Sequence, residues 1–131
     1  MVNIDGLTTE TVNEATKHID EMDALGIVTL INQEDKKAAE AIEKELPNVA
    51  KAVDAVAERF KKGGRIIYCG AGTSGRMGTL DAVELTPTYG VSPDRAFGLL
   101  AGGEKAMYQA VEGAEDSAQL AVEDLKRVGL T

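Results

Sequence analysis

Glycine placement divides this chain in two. Of its 14 glycines only Gly6 and Gly26 precede residue 63, and the other 12 lie between Gly63 and Gly129. Glycine takes left-handed backbone freely and lets backbone segments touch, but it weakens a helix interior. The first half therefore predicts helices, and the second predicts strands and helices joined by tight turns. We read a helical arm over 1–62 and an α/β segment over 63–131, in a chain of 131 residues with the length of one domain.

Within the arm, Leu25, Val28 and Ile31 recur at helical spacing and predict a helix over 23–32, with Gly26 counting against it. A second helix is predicted over about 35–46, with Ala38, Ala41 and Ile42 inward and Glu40–Lys44 as a surface pair. Pro47 suits the first turn of a third. Its inner face is Val49, Val53, Val56 and Phe60, and Gly63-Gly64 close it after Lys61-Lys62.

Beyond it, Arg65-Ile66-Ile67-Tyr68-Cys69-Gly70 is an apolar run without alternation, the pattern of a strand buried on both faces. Ala96-Phe97-Gly98-Leu99-Leu100 is a second such run. Helices are predicted over 75–84, 105–111 and 117–128, with Gly129 as a C-cap. Strand, helix, strand, helix implies an α/β fold with a parallel sheet. Two strands leave both sheet edges open, so this half reads as the first part of a doubly wound domain.

Charge and composition exclude several classes. With 14 Lys+Arg against 22 Asp+Glu the net charge is −8, which opposes nucleic acid or an anionic membrane as partner. At 44% hydrophobic residues the chain can build a core. No apolar run approaches the ~20 residues that span a bilayer. The start from Met1 to Asp5 has no basic and apolar signal pattern, so a cytoplasmic location is expected. One cysteine and one histidine, Cys69 and His18, build neither a disulfide nor a zinc site, and no metal or other cofactor is expected. Cys69 reads as a small buried hydrophobe and His18 as a surface residue. Met22, Met77 and Met107 read as core or interface filler, and the acidic run from Glu112 to Asp124 as a solvated face.

The chemistry concentrates in Gly70-Ala71-Gly72-Thr73-Ser74-Gly75-Arg76, which follows the first strand and opens a helix. It satisfies G-x-G-x-x-G, but a dinucleotide site wants a carboxylate at the end of the next strand for the ribose. That strand ends Leu99-Leu100-Ala101-Gly102-Gly103, with none. The same backbone can cradle a phosphate monoester instead. Glycines open the amides, the helix N-terminus supplies positive potential, Thr73 and Ser74 add hydroxyls, and Arg76 adds a charged fork. A tight turn without any ligand is the plainer alternative.

From Gly63 to Glu84 the stretch GGRIIYCGAGTSGRMGTLDAVE resembles the N-acetylmuramic acid 6-phosphate etherases of the sugar isomerase (SIS) superfamily. The resemblance continues through TPTYGV, LLAGGEKA, AVEGAEDS and VEDLKRVGLT, and upstream through LTTETVNEAT and LINQEDKKAAEAIEKELP. It implies a lyase that cleaves the D-lactyl ether of N-acetylmuramic acid 6-phosphate to N-acetylglucosamine 6-phosphate and D-lactate. Such a reaction needs a base, an acid and a held phosphate. The family pattern implies Glu84 as proton donor and Glu115 as the second carboxylate, assigned as base. Gly72, Thr73, Ser74, Gly75 and Arg76 are the implied substrate-binding residues. One of the glutamates must stay protonated near neutral pH, which calls for burial.

Two departures flank Glu84. The family's Ala-Ser-Glu stands here as Ala82-Val83-Glu84, and its Cys-Pro-Pro-Thr as Leu85-Thr86-Pro87-Thr88. Family members are also longer, with a second Ser/Gly-rich loop after a third strand, so the chain reads as the N-terminal part of an etherase, shortened or split. They are homodimers with sites drawn from both subunits, which implies a homodimer here, with a small sugar phosphate as ligand. A sugar-kinase regulatory protein of the same superfamily shares the loop without the activity. A non-catalytic sugar-phosphate-binding module is therefore the alternative.

Overall fold

Residues 11–130 are described by the computed structural model. The readings of Met1 to Asp5, of Leu7 to Glu10 and of Thr131 lie outside them. Two compact units are present, Met1–Ala52 and Val53–Thr131.

In the first unit the two helices expected over 23–32 and 35–46 are one, α1 (Ala24–Glu43). No glycine or proline interrupts the chain between Gly26 and Pro47, and Asp35 continues the helix instead of capping a new one. The cap is Asp23, whose carboxylate accepts from the Gly26 amide at 2.8 Å. Hydrogen bonds from Lys37 and from Asn13, with the Lys37 charge, hold the half-buried Glu34 carboxyl below its usual range against an opposing effect of burial. α2 (Leu46–Lys61) starts beside Pro47 as expected.

Gly63, at φ 93°, closes α2. Its amide bonds to the Phe60 carbonyl at 3.1 Å, and the Gly64 amide bonds to Arg59 at 2.9 Å. Gly129 closes α5 (Ala118–Arg127) with the same pair of bonds, from Gly129 to Lys126 and from Leu130 to Leu125. Ser117 caps the start of α5. An arginine before each strand reinforces these ends. Arg95 donates to the Phe60 and Gly64 carbonyls and stacks over the Phe60 ring at 4.2 Å. Arg65 donates to Gly129 and lies over Phe97.

Strands β1 (Ile66–Gly70) and β2 (Ala96–Leu100) pair in parallel, Ile66 opposite Ala96 through Gly70 opposite Leu100. The helix between them, α3 (Gly72–Tyr89), is longer at both ends than expected. Pro87 lies inside the helix, three residues before Gly90 ends it at φ 67°. α4 (Lys105–Tyr108) is shorter than the expected 105–111. Its chain turns away so that Val111 can pack at Gly102.

α3 covers one face of the sheet, and glycines set how closely. A Cβ on Gly75 would stand 2.4 Å from the Gly70 carbonyl and 2.6 Å from Leu100. A Cβ on Gly98 would stand 2.8 Å from the Thr79 Cα, and one on Gly78 would stand 3.0 Å from Tyr68. Alternation along β1 turns Cys69 away from this face. Cys69 is exposed, which corrects the buried hydrophobe expected there. The strands are thus not sealed on both sides among the described residues. The buried apolar residues are small apart from one leucine: Ala82, Ala96, Leu100, Ala106 and Ala114.

Candidate functional site

The turn between β1 and α3 explains the glycine motif physically. Gly72 sits at φ 52° with open space around it, a turn that glycine makes without strain. Gly70 and Gly75 let the strand end touch the helix start. Ala71 gives no side-chain cap to α3. The first amides of a helix lack intrahelical acceptors, so those of Gly72, Thr73 and Ser74 form an outward-facing donor set at the positive end of the helix. The Gly75 amide is already bonded to the Ala71 carbonyl at 3.0 Å. Thr73 and Ser74 are exposed, with hydroxyls available to the same ligand.

Arg76 does something else. Its Nε donates to the Ala106 carbonyl at 2.9 Å and to the Met107 carbonyl at 3.2 Å. Part of the expected phosphate fork is therefore committed to the backbone of α4.

Glu84 lies eleven positions after Thr73 on α3, three turns and about 16 Å along the axis. Thr73, Met77, Leu80 and Glu84 follow one another at spacings of four, three and four, so they share a face. Met77 is 60% exposed and Leu80 51%, and they separate the loop from the carboxylate. The five bonds between C3 of a hexose and its 6-phosphorus cover at most ~8 Å, half that rise. Glu84 and the loop thus share one face of α3, about 16 Å apart along the axis from backbone to backbone. Glu115 stands in the turn between α4 and α5, beside the buried Ala114. Both glutamates are exposed, so the burial that a protonated acid calls for does not come from this unit.

Sequence reasoning missed two features. Tyr68, admitted against α3 by Gly78, pairs with Asp81. Hydrogen bonding with that carboxylate, partial burial and the Asp81 charge push the phenol up to about 12. A tyrosine two residues before the glycine loop was the available signal. A cleft of roughly 240 Å³ also opens at the C-terminal end of β2, lined in part by Thr79, Leu100, Glu104, Asp124 and Arg127. None of the expected site residues lines it. Among the described residues no group of three His, Cys, Asp or Glu side chains converges to hold a metal ion. No helix among them is long and apolar enough to cross a membrane.

Residues 48–131 match the family described as the glucokinase regulatory protein N-terminal SIS domain. The chain belongs to this SIS family. It is 72% identical over 130 residues to N-acetylmuramic acid 6-phosphate etherase 1 of Enterococcus faecalis, covering 99% of this chain and 43% of that protein. It is 57% identical to the etherase of Clostridium beijerinckii over the same shares. It is 59% identical to that of Clostridium botulinum, over 97% of this chain and 42% of the relative. The chain spans less than half the length of these curated relatives and corresponds to their N-terminal part. In this SIS frame the turn after β1 lies at the carboxyl end of a parallel strand, where α/β sheets bind ligands.

Proposed function

We propose that this chain is the sugar-phosphate-anchoring part of a lyase that cleaves the D-lactyl ether of N-acetylmuramic acid 6-phosphate, giving N-acetylglucosamine 6-phosphate and D-lactate in cell-wall sugar recycling. The carrying observation is the uncapped start of α3, where the Gly72, Thr73 and Ser74 amides and two hydroxyls face outward in a chain similar throughout to proteins named etherases. Gly72 and Gly75 shape the cradle, and Thr73 and Ser74 bind the phosphate. In the open-chain sugar the carbon next to the aldehyde carries an acidic hydrogen and the ether lies one carbon further on. Glu115 removes that hydrogen, Glu84 protonates the departing lactate, and water adds to the unsaturated aldehyde.

The separation of Glu84 from its own loop supports a homodimer in which Glu84 serves the partner's site. The exposed Met77 and Leu80 on the same face give that partner an apolar contact. The ligand is a small sugar phosphate in the cytoplasm, with neither nucleic acid nor membrane as partner.

A specific observation favours the alternative of a non-catalytic sugar-phosphate-binding module: both glutamates are exposed in a chain that matches less than half of each etherase. Incubation with N-acetylmuramic acid 6-phosphate separates the two readings. Release of D-lactate that Glu84→Ala abolishes supports the lyase. Sugar-phosphate binding without release by the wild type supports the module.

A further inference from the structure

We propose that Arg76 is a positioning residue that ties the first turns of α3 to α4 and thereby holds the segment carrying Glu115 close to the glycine loop. The role given to Glu115 rests on the etherase reading; the tie itself does not. Ala106 and Met107 present carbonyls in a helix of four residues, too short to supply them with intrahelical donors. The part-buried Arg76 Nε reaches both, at 2.9 and 3.2 Å, and a charged donor makes such bonds stronger than neutral ones.

Two further anchors lie downstream. Gly102, at φ 85°, has room for two neighbours that a side chain would strike, Val111 Cβ at 2.9 Å and Ala106 Cβ at 3.1 Å from the position of its missing Cβ. Ala114 is buried, and Glu115 follows it. The chain from Ala106 to Ala114 is thus pinned at Arg76, at Gly102 and at Ala114, while the Glu115 side chain makes no hydrogen bond among the described residues. The Arg76 pin comes from the element that starts at the glycine loop. It is the direct link between the loop that would hold a phosphate and the carboxylate that would act on the sugar.

The competing role is direct phosphate binding through the Arg76 Nη atoms, which make no hydrogen bond among the described residues. Amide hydrogen exchange of the 131-residue chain and its Arg76→Met and Arg76→Lys variants separates the roles, with inorganic phosphate as the binding probe. We expect Ala106, Met107 and Gln109 amides to exchange about ten- to a hundred-fold faster in Arg76→Met and by an intermediate factor in Arg76→Lys. Leu99 in β2 should change little, and phosphate affinity should change less than about threefold.

Unchanged exchange at Ala106, Met107 and Gln109 overturns the proposal. So does equal acceleration at Leu99, which would make Arg76 a general support of the fold. A tenfold loss of phosphate affinity with unchanged exchange assigns Arg76 to the ligand. Where D-lactate release is measurable, the tie lowers kcat with KM unchanged. A wild type that releases no lactate counts against the etherase reading and leaves the exchange result standing.

Discussion

The two ends of α3 are built on different terms. At its start four residues have a reason inside this chain: Gly72 for the turn, Gly70 and Gly75 for contact between strand and helix, and Arg76 for α4. Toward Glu84 the pattern reverses, because Met77, Leu80 and Val83 are exposed and the carboxylate has no partner among the described residues. Pre-organised donors are useful when they cost no rearrangement at the moment of binding. The start of α3 meets that condition within one unit, and the exposed Glu84 does not. What this teaches is that the loop is held by contacts within its own unit, while Glu84 is left exposed.

The largest effect should come from the tight end. In Gly75→Ala the new Cβ meets the Gly70 carbonyl at 2.4 Å, backbone that cannot swing away. We expect destabilisation of about 3 kcal/mol or more and loss of a cooperative urea transition. Gly72→Ala, three residues earlier, tests the other use of glycine. Nothing lies within 4 Å, and only the φ of 52° is disfavoured, so the cost should be about 1–2 kcal/mol with the fold retained. Equal losses in the two variants would erase the distinction between contact and conformation.

This distinction also marks what was legible in the sequence. The motif G-x-G-x-x-G, the strands flanking it and the parallel order could be read because glycine and apolar runs report local backbone needs directly. Helix lengths were less legible. The expected break before Asp35 is absent because no glycine or proline stands there to stop the helix, and an aspartate alone does not end one. The partner of Arg76 could not be read at all. It is a pair of main-chain carbonyls 30 residues away, and carbonyls carry no sequence signature. Cys69 was misplaced for a related reason, since an apolar strand was taken to imply two covered faces and α3 covers one.

A middle-sized effect concerns Tyr68, halfway between the two ends. The hydrogen bond with Asp81 and partial burial push its phenol up to about 12 in the folded chain, against about 10 unfolded. A folded value above the unfolded one means that the stabilising contribution is complete below pH 10 and is lost as pH rises from 10 to 12. Two units would nominally be worth more, but the pair is partly open to solvent, so about 1 kcal/mol is expected. Wild-type stability in chemical denaturation should therefore fall across pH 10–12 by that much more than Tyr68→Phe stability. Parallel curves would remove Asp81 as a partner of this tyrosine.

The smallest effect should be at Glu84. The side chain is exposed and makes no hydrogen bond or ion pair among the described residues, so Glu84→Gln keeps its size and removes only a charge. Stability should stay within about 0.5 kcal/mol of wild type, measured in the same denaturant series. A neutral substitution here, beside a costly one at Gly75, is what a residue presented outward for chemistry requires. A loss above 1 kcal/mol would mean that Glu84 is held by contacts within its own chain. The contrast between the ends of α3 would then disappear, and with it the reason for assigning this carboxylate to a neighbouring subunit's site.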